Sequence, residues 1–425
     1  MSRLVLSGGR LIDPTQSLDD AVDIAIEDGV VAEIGKGLSG AETLDVTGLI
    51  VAPGFIDIHV HLREPGFEYK ETIETATAAA VAGGFVGVVG MPNTNPPPDT
   101  AAAVRGLMKR AESASCRVFT MGTITKGRQG EELAEMGDLV DAGVVGFSDD
   151  GDPVNDAGVM RLALDYCTMF DRPVAVHAED RSLSNSGHMH EGAVSAELGI
   201  PAIPSVASDV MAARDLLLAE YTGGRLHLMH MSTAGEVSLL SRSKADGIKT
   251  VSGETAPHYF TLTDQAVHSF DTNAKMSPPL RSQADVDAIL EGLADGTIDA
   301  IATDHAPHAS HEKDSEFAAA PFGIVGLETS VGISYDTLVH SGILTPSQLI
   351  EKMSCNPAVI CRIDGGTLKP GSRADLTVID PDRRWTVDPA KFRTKGRNTP
   401  FAGRELVGDA VMTIVGGEIR FDERG

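Results

Sequence analysis

Eight short apolar runs divide the middle of the chain, at 55–61, 85–91, 117–123, 144–150, 173–177, 225–230, 249–254 and 299–304. Each is followed by an Ala/Leu/Glu/Lys-rich segment of helical character. Strands that alternate with helices imply βα units and a parallel sheet, and eight such units are the number that closes into a barrel. A doubly wound open sheet is the competing arrangement. It would need a Gly-x-Gly-x-x-Gly turn or another ligand crevice, and no such turn is visible in the sequence.

A barrel uses roughly 250 residues, so a chain of 425 has material left over. Both ends read as short strands broken by Gly, Pro and Asp: 4–6, 21–26, 30–34 and 43–46 before the barrel, 375–379, 410–415 and 418–421 after it. Small sheets need partners to bury a face. The expected organisation is therefore a (β/α)8 barrel over 53–365 beside one composite β-sandwich built from 1–52 and 366–425.

The first run, in Val51-Ala-Pro-Gly-Phe-Ile-Asp-Ile-His-Val-His-Leu-Arg63, carries the chemistry. Alternation along a strand puts Asp57, His59 and His61 on one face and Ile56, Ile58 and Val60 on the other. A lone His-x-His more often faces solvent, but other unusual residues share its position. Asn93 follows the second run, Asp149 and Asp150 end the fourth, His177 the fifth, His230 the sixth and Asp304 the eighth. In a barrel all of these carboxyl ends meet at one rim.

His59, His61, Asp150, His177, His230 and Asp304 suit Zn2+ or a similar borderline ion with a position left for water. One tetrahedral ion needs fewer ligands than six, whereas two ions about 3.5 to 4 Å apart would use them all, with Asp150 as the bridge. Asp304 is the candidate general acid/base. A formal net charge of -26 argues against nucleic acid or an anionic membrane as partner, and an anionic substrate would require cations gathered locally. The N-terminus lacks a signal-peptide core and no apolar run reaches membrane-spanning length, so the cytoplasm is the expected compartment. Four scattered cysteines are expected to be reduced.

Several further stretches complete a pattern: Met91-Pro-Asn-Thr94, Phe147-Ser-Asp-Asp-Gly151, His177-Ala-Glu-Asp180, His230-Met-Ser-Thr233, Glu254-Thr-Ala-Pro-His258, Pro278-Pro-Leu-Arg281, Ala302-Thr-Asp-His-Ala-Pro-His308, Phe322-Gly-Ile-Val-Gly-Leu-Glu-Thr329 and Gly396-Arg-Asn-Thr-Pro-Phe401. With the first run they span nearly the whole chain, which resembles the amidohydrolase superfamily and, within it, the bacterial class I dihydroorotases. The resemblance implies reversible cyclisation of N-carbamoyl-L-aspartate to dihydroorotate, one or two Zn2+ per chain, and the six residues above as metal shell. It assigns substrate contacts to His61, Arg63, Asn93, Ser277, His308 and the Phe322-Gly323 backbone. It is also compatible with a homodimer and with association with aspartate transcarbamoylase.

The chain departs from its neighbours in two places. Hydantoinases and allantoinases usually bridge their metals with a carboxylated lysine at the end of the fourth strand, where this chain has Gly-Phe-Ser-Asp-Asp. The family's Lys-x-Asn-Pro-Pro-Leu-Arg reads Lys275-Met-Ser277-Pro-Pro here, and a serine reaches less far than asparagine. The rival readings are thus another cyclic-amide hydrolase, or a non-catalytic barrel partnering aspartate transcarbamoylase, which should have lost ligands. Other titratable residues read more plainly. His188, His190, His268, His311 and His340 are expected at the surface, and His227 points away from the shell. Asp149 is expected to support its neighbour, and Asp57 either orients an imidazole or simply lies inside the barrel. His258 and His305 divide between support of the site and packing. The polar segment 309–321 reads as a mobile lid, or else as a plain surface loop.

Overall fold

A computed structural model describes residues 3 to 424. Each of the eight predicted runs contains one strand: β1 (Phe55–Val60), β2 (Phe85–Gly90), β3 (Arg117–Gly122), β4 (Gly146–Phe147), β5 (Val174–Val176), β6 (Leu226–Leu228), β7 (Val251–Thr255) and β8 (Ala300–Ile301). They pair in chain order and in parallel. A parallel bridge between Val60 and His305 closes the ring, reinforced by His61 N donating to His305 O at 2.9 Å. Closure places the residues after β8 beside those after β1, although they are far apart in sequence.

Threonine and aspartate caps start the outer helices where the βα loops end. Thr72 accepts from Thr75 N at the head of Ile73–Ala82, Asp156 caps Ala157–Cys167, and Thr233 forms a capping box with Glu236 ahead of Ala234–Ala245. Each cap satisfies amide groups that a helix leaves without internal partners. Ile56, Ile58 and Val60 are buried on the outward face of β1, as the alternation predicts.

Two further sheets come from the chain ends. A six-stranded sheet runs Glu418–Asp422, Glu405–Val415, Leu376–Thr386, Ile50–Pro53, Arg10–Asp13, Leu18–Ala21. A four-stranded sheet runs Val30–Gly35, Asp23–Glu27, Leu4–Ser7, Glu42–Asp45. A core separate from that of the barrel joins Leu6, Leu11 and Ile24 to Leu376, Val411 and Ile414. Asp13 ties the two ends directly, accepting from Leu368 N at 2.7 Å. The strands Arg10–Asp13 and Leu18–Ala21 are not foreseen from the sequence, because the second is a polar edge strand with no apolar alternation.

One expectation needs correction. His190 is buried, not at the surface, because Met189–His190 and Ala202–Ile203 pair into a small sheet in the loop after β5. Segment 309–321 is a loop anchored by buried Lys313, Phe317 and Ala320, with a short helix over Ser310–Lys313 and most of its other residues exposed. Among the described residues no helix is long and apolar enough to cross a membrane.

Candidate metal centre

Six side chains predicted from strand ends converge at the carboxyl rim of the barrel. All are at least nine-tenths buried: His59, His61, Asp150, His177, His230 and Asp304. Asp150 divides them. Its Oδ2 lies 3.7 Å from His59 Nε2 and 3.6 Å from His61 Nε2, while its Oδ1 lies 3.8 Å from His177 Nδ1 and 3.5 Å from His230 Nε2. Two groups with metal-ligand spacing therefore share this one carboxylate: His59, His61 and Asp150, and Asp150, His177 and His230. Asp304 Oδ1 reaches His61 Nε2 at 3.0 Å and His59 Nε2 at 3.4 Å.

The backbone bends sharply to aim these groups. Arg63, His230 and Asp304 adopt φ of 61°, 37° and 47°, a left-handed region that non-glycine residues seldom enter.

The donor set fits a metal. His59 Nδ1 is engaged with Glu254 Oε1 at 2.7 Å, which leaves Nε2 facing the two carboxylates, buried and without a hydrogen-bond partner. A buried lone pair aimed at carboxylate oxygens is unfavourable unless a proton or a cation stands between them. His177 Nδ1 and His230 Nε2 likewise face each other at 2.9 Å. Burial pushes His59 down, but Asp304 and Asp150 outweigh it and hold the imidazole well above its ordinary value. Burial raises Asp150 and Asp304, yet His59 and the neighbouring imidazoles pull both below the usual carboxylate range. The site thus collects ionised oxygens and imidazole nitrogens around one point.

A cavity of about 600 Å3 opens over the centre, lined among others by His61, Arg63, Asn93, Ser277, His308 and Phe322. Asn93 contacts His61 Nδ1 and so steadies that imidazole as well as lining the wall. His308 is pushed down to about 2 by burial and by Arg63 and Lys70, so it is a neutral imidazole. Its shorter contacts favour one tautomer: Nε2 donates to Phe322 O at 2.8 Å and Nδ1 accepts from Lys70 Nζ at 3.3 Å, while Arg63 Nη2 stands 3.4 Å from the same Nε2. Arg63 Nε donates to Pro307 O at 3.2 Å. Gly323 has φ +147°, and a Cβ there would lie 2.6 Å from Ala306 O, so only glycine fits this wall. Its N–H is taken by Lys275 O at 2.9 Å and its carbonyl by Asn398 Nδ2 at 3.0 Å. Arg63 thus lines the cavity as a guanidinium beside neutral His308, with Lys70 behind His308 and paired to Glu312 Oε1 at 2.9 Å.

The supporting residues sort themselves by their partners. Asp149 accepts from Ile124 N at 2.9 Å and from the Thr125 hydroxyl, a support role as expected. Asp57 orients no imidazole: it accepts from Thr303 Oγ1, Thr303 N and His59 N and so fastens β1 to the chain after β8. His305 is a packing residue whose Nδ1 accepts from Gly326 N at 3.2 Å. His258 is buried against Tyr259, with ring centroids 4.2 Å apart. The sequence reading passes over Glu254, which grips His59 on one oxygen and lies 3.2 Å from His227 Nε2 on the other. Its place at the carboxyl end of the seventh run was the available signal. Burial raises Glu254, but His227 and His59 outweigh it and bring it down to about 2.

Known proteins share the sequence and the fold of this chain. A family profile described as Dihydro-orotase-like matches residues 48–236. A dihydroorotase from Pelotomaculum thermopropionicum is 53% identical over 424 residues, 99% of each chain. One from Geobacter metallireducens is 54% identical over 420 residues, 98% of this chain and 99% of the relative. Among solved structures, an L-hydantoinase (dihydropyrimidinase) from Arthrobacter aurescens superposes with a TM-score of 0.89 at 26% identity, over 99% of this chain and 96% of that one. A dihydropyrimidinase from Brevibacillus agri, at 22% identity and a TM-score of 0.87 over 99% of this chain and 95% of that one, shares the fold.

Proposed function

The chain belongs to the dihydroorotase family, and from that premise we infer that it is a metal-dependent cyclic amidohydrolase interconverting N-carbamoyl-L-aspartate and dihydroorotate. The observation that carries the reading is the split of the Asp150 carboxylate between two imidazole pairs, one oxygen to each. His59, His61, Asp150, His177, His230 and Asp304 would hold the metal, Zn2+ being the borderline ion such a nitrogen and oxygen set suits. When bound there, a divalent ion lowers the pKa of water toward about 7 and polarises the carbonyl under attack.

The protein's own groups perform the remaining work. In the hydrolytic direction a water oxygen adds to the ring amide carbon, the amide C–N bond breaks, and a proton must travel from that water to the departing nitrogen. Asp304 carries it, because its carboxylate is held ionised by the imidazoles and is therefore ready to accept. In the synthetic direction Asp304 takes the proton from the ureido nitrogen and returns it to the leaving water. Arg63 presents a planar fork to the substrate's free carboxylate, with Asn93 and His308 on either side. Ser277 and the Phe322-Gly323 backbone complete the wall on the His308 side, where His308 Nε2 donates to Phe322 O.

Following dihydroorotate hydrolysis by purified protein before and after removal of metal with a chelator tests the reading. Activity should vanish on stripping and return on adding Zn2+; undiminished turnover by metal-free protein would reject the mechanism. Hydantoin and allantoin, offered in parallel, should be turned over far more slowly.

A further inference from the structure

Lys275 and Lys313 lie among the most buried side chains of the chain, at 2% and 6% exposure. Every hydrogen bond of their ammonium groups goes to a main-chain carbonyl. Lys275 Nζ donates to Phe317 O at 2.7 Å, Ala318 O at 3.0 Å and Ala320 O at 2.7 Å. Lys313 Nζ donates to Thr272 O at 2.9 Å, Pro321 O at 2.8 Å and Lys275 O at 3.4 Å. Lys275 Nζ also stands 4.6 Å from the centroid of the Phe322 ring. Burying an ammonium without a carboxylate partner is costly, and an apolar side chain would fill the same space more cheaply. What an ammonium offers instead is three donors, here for the Phe317, Ala318, Ala320 and Pro321 carbonyls, which meet no other donor among the described residues, and for Thr272 O and Lys275 O, which also accept a main-chain N–H.

The carbonyls so bound belong to two segments that face each other across the cavity wall. One, 272–277, ends at Ser277; the other, 313–323, ends at Phe322 and Gly323. Thr272 Oγ1 donates to Lys313 O at 2.6 Å, and Gly323 N donates to Lys275 O at 2.9 Å, so the lysines close a zipper that main-chain and hydroxyl groups begin. We propose that Lys275 and Lys313 are positioning residues that clasp these segments together and thereby set the shape of the anion-binding end of the cavity. The proposal rests on the reading that Phe322, Gly323 and His308 face the substrate's carboxylate end. Groups that hold this end act on the bound substrate and the transition state alike, so losing them should raise KM and leave kcat almost intact.

Lys275→Met and Lys313→Met, each loaded with Zn2+, test it. The expected result is a KM for dihydroorotate raised roughly tenfold or more, kcat within about twofold of wild type, and unchanged metal content. Hydrogen exchange over 317–323 should also be faster. An unchanged KM, or a loss confined to kcat, would overturn the proposal even if the melting temperature fell. Should a methionine variant fail to fold, Lys313→Gln and Lys275→Gln keep two donors each and should fall between wild type and methionine in both readouts. Exchange of the wild-type protein stands apart from activity altogether: the Gly323 amide should be protected, and rapid exchange there overturns the clasp. Absence of dihydroorotate turnover in wild type would instead reject the assigned reaction, leaving the exchange result to decide the clasp.

Discussion

Glu254 Oε1 lies 2.7 Å from His59 Nδ1, and this contact turns the far nitrogen of His59 toward Asp150 and Asp304. A carboxylate behind a metal-binding imidazole sets its tautomer and orientation and raises its basicity. Glu254→Ala should therefore weaken metal binding by roughly 10- to 100-fold with every direct ligand intact. Competition against a fluorescent chelator measures this; an affinity equal to wild type would show that His59 needs no such support.

The same carboxylate should register in acid stability. Its folded-state pKa falls from 4.5 to about 2, since His227 and His59 outweigh its burial. A depressed carboxylate contributes stability above its unfolded pKa and loses it as pH falls through the folded one. The contribution, on the order of 3 kcal/mol, should be present near neutrality and fade between about pH 4.5 and 2. Urea unfolding of metal-free wild type and Glu254→Gln follows it, the variant losing the carboxylate together with the support it gives the charged form of His59. The gap between the two should narrow as pH drops through that window; a constant gap would contradict the assignment.

The barrel and its rim were legible because each depends on a local pattern repeated in register. All eight runs contain a strand, and the six side chains that converge at the rim could be read from their carboxyl ends. What stayed hidden depends on pairings with no local signature. The edge strand Leu18–Ala21 is polar, the pair Met189–His190 and Ala202–Ile203 is too short to show a period, and Glu254 acquires a role only from His59 across the barrel. The two lysines that pin 313–323 resemble solvent-facing residues in a polar stretch. Only the fold reveals that the carbonyls of Phe317, Ala318, Ala320 and Pro321 meet no other donor among the described residues.

Asp150 should control how many ions bind. Because each of its oxygens serves a different imidazole pair, metal-free wild type is expected to take up two ions per chain at saturation. Asp150→Ala should take up one at most and lose hydrolysis. Elemental analysis of dialysed protein provides the count, and two tightly held ions in the variant would remove Asp150 from the bridge.

Asp304→Asn tests proton transfer apart from metal retention. The amide keeps the shape and one oxygen but cannot accept the proton, so kcat should fall by roughly 10²- to 10⁴-fold. Metal content should be close to wild type, since His59, His61, Asp150, His177 and His230 remain. A variant that retains its metal and most of its kcat would require another proton carrier.

Ser277 offers the finest test of the cavity wall, because it occupies the position where the family motif has asparagine. It lines the cavity with Arg63, Asn93 and His308, half-buried, so its hydroxyl is available to a bound molecule. A single neutral hydrogen bond contributes about 0.5 to 1.5 kcal/mol, so Ser277→Ala should raise KM roughly two- to tenfold if that hydroxyl reaches the substrate. Ser277→Asn lengthens the side chain and restores both a donor and an acceptor, and should lower KM below wild type. The two variants should move KM in opposite directions at nearly constant kcat. If alanine leaves KM unchanged while asparagine lowers it, the serine is a gap in the wall rather than a contact, and the remaining wall residues must orient the substrate without it.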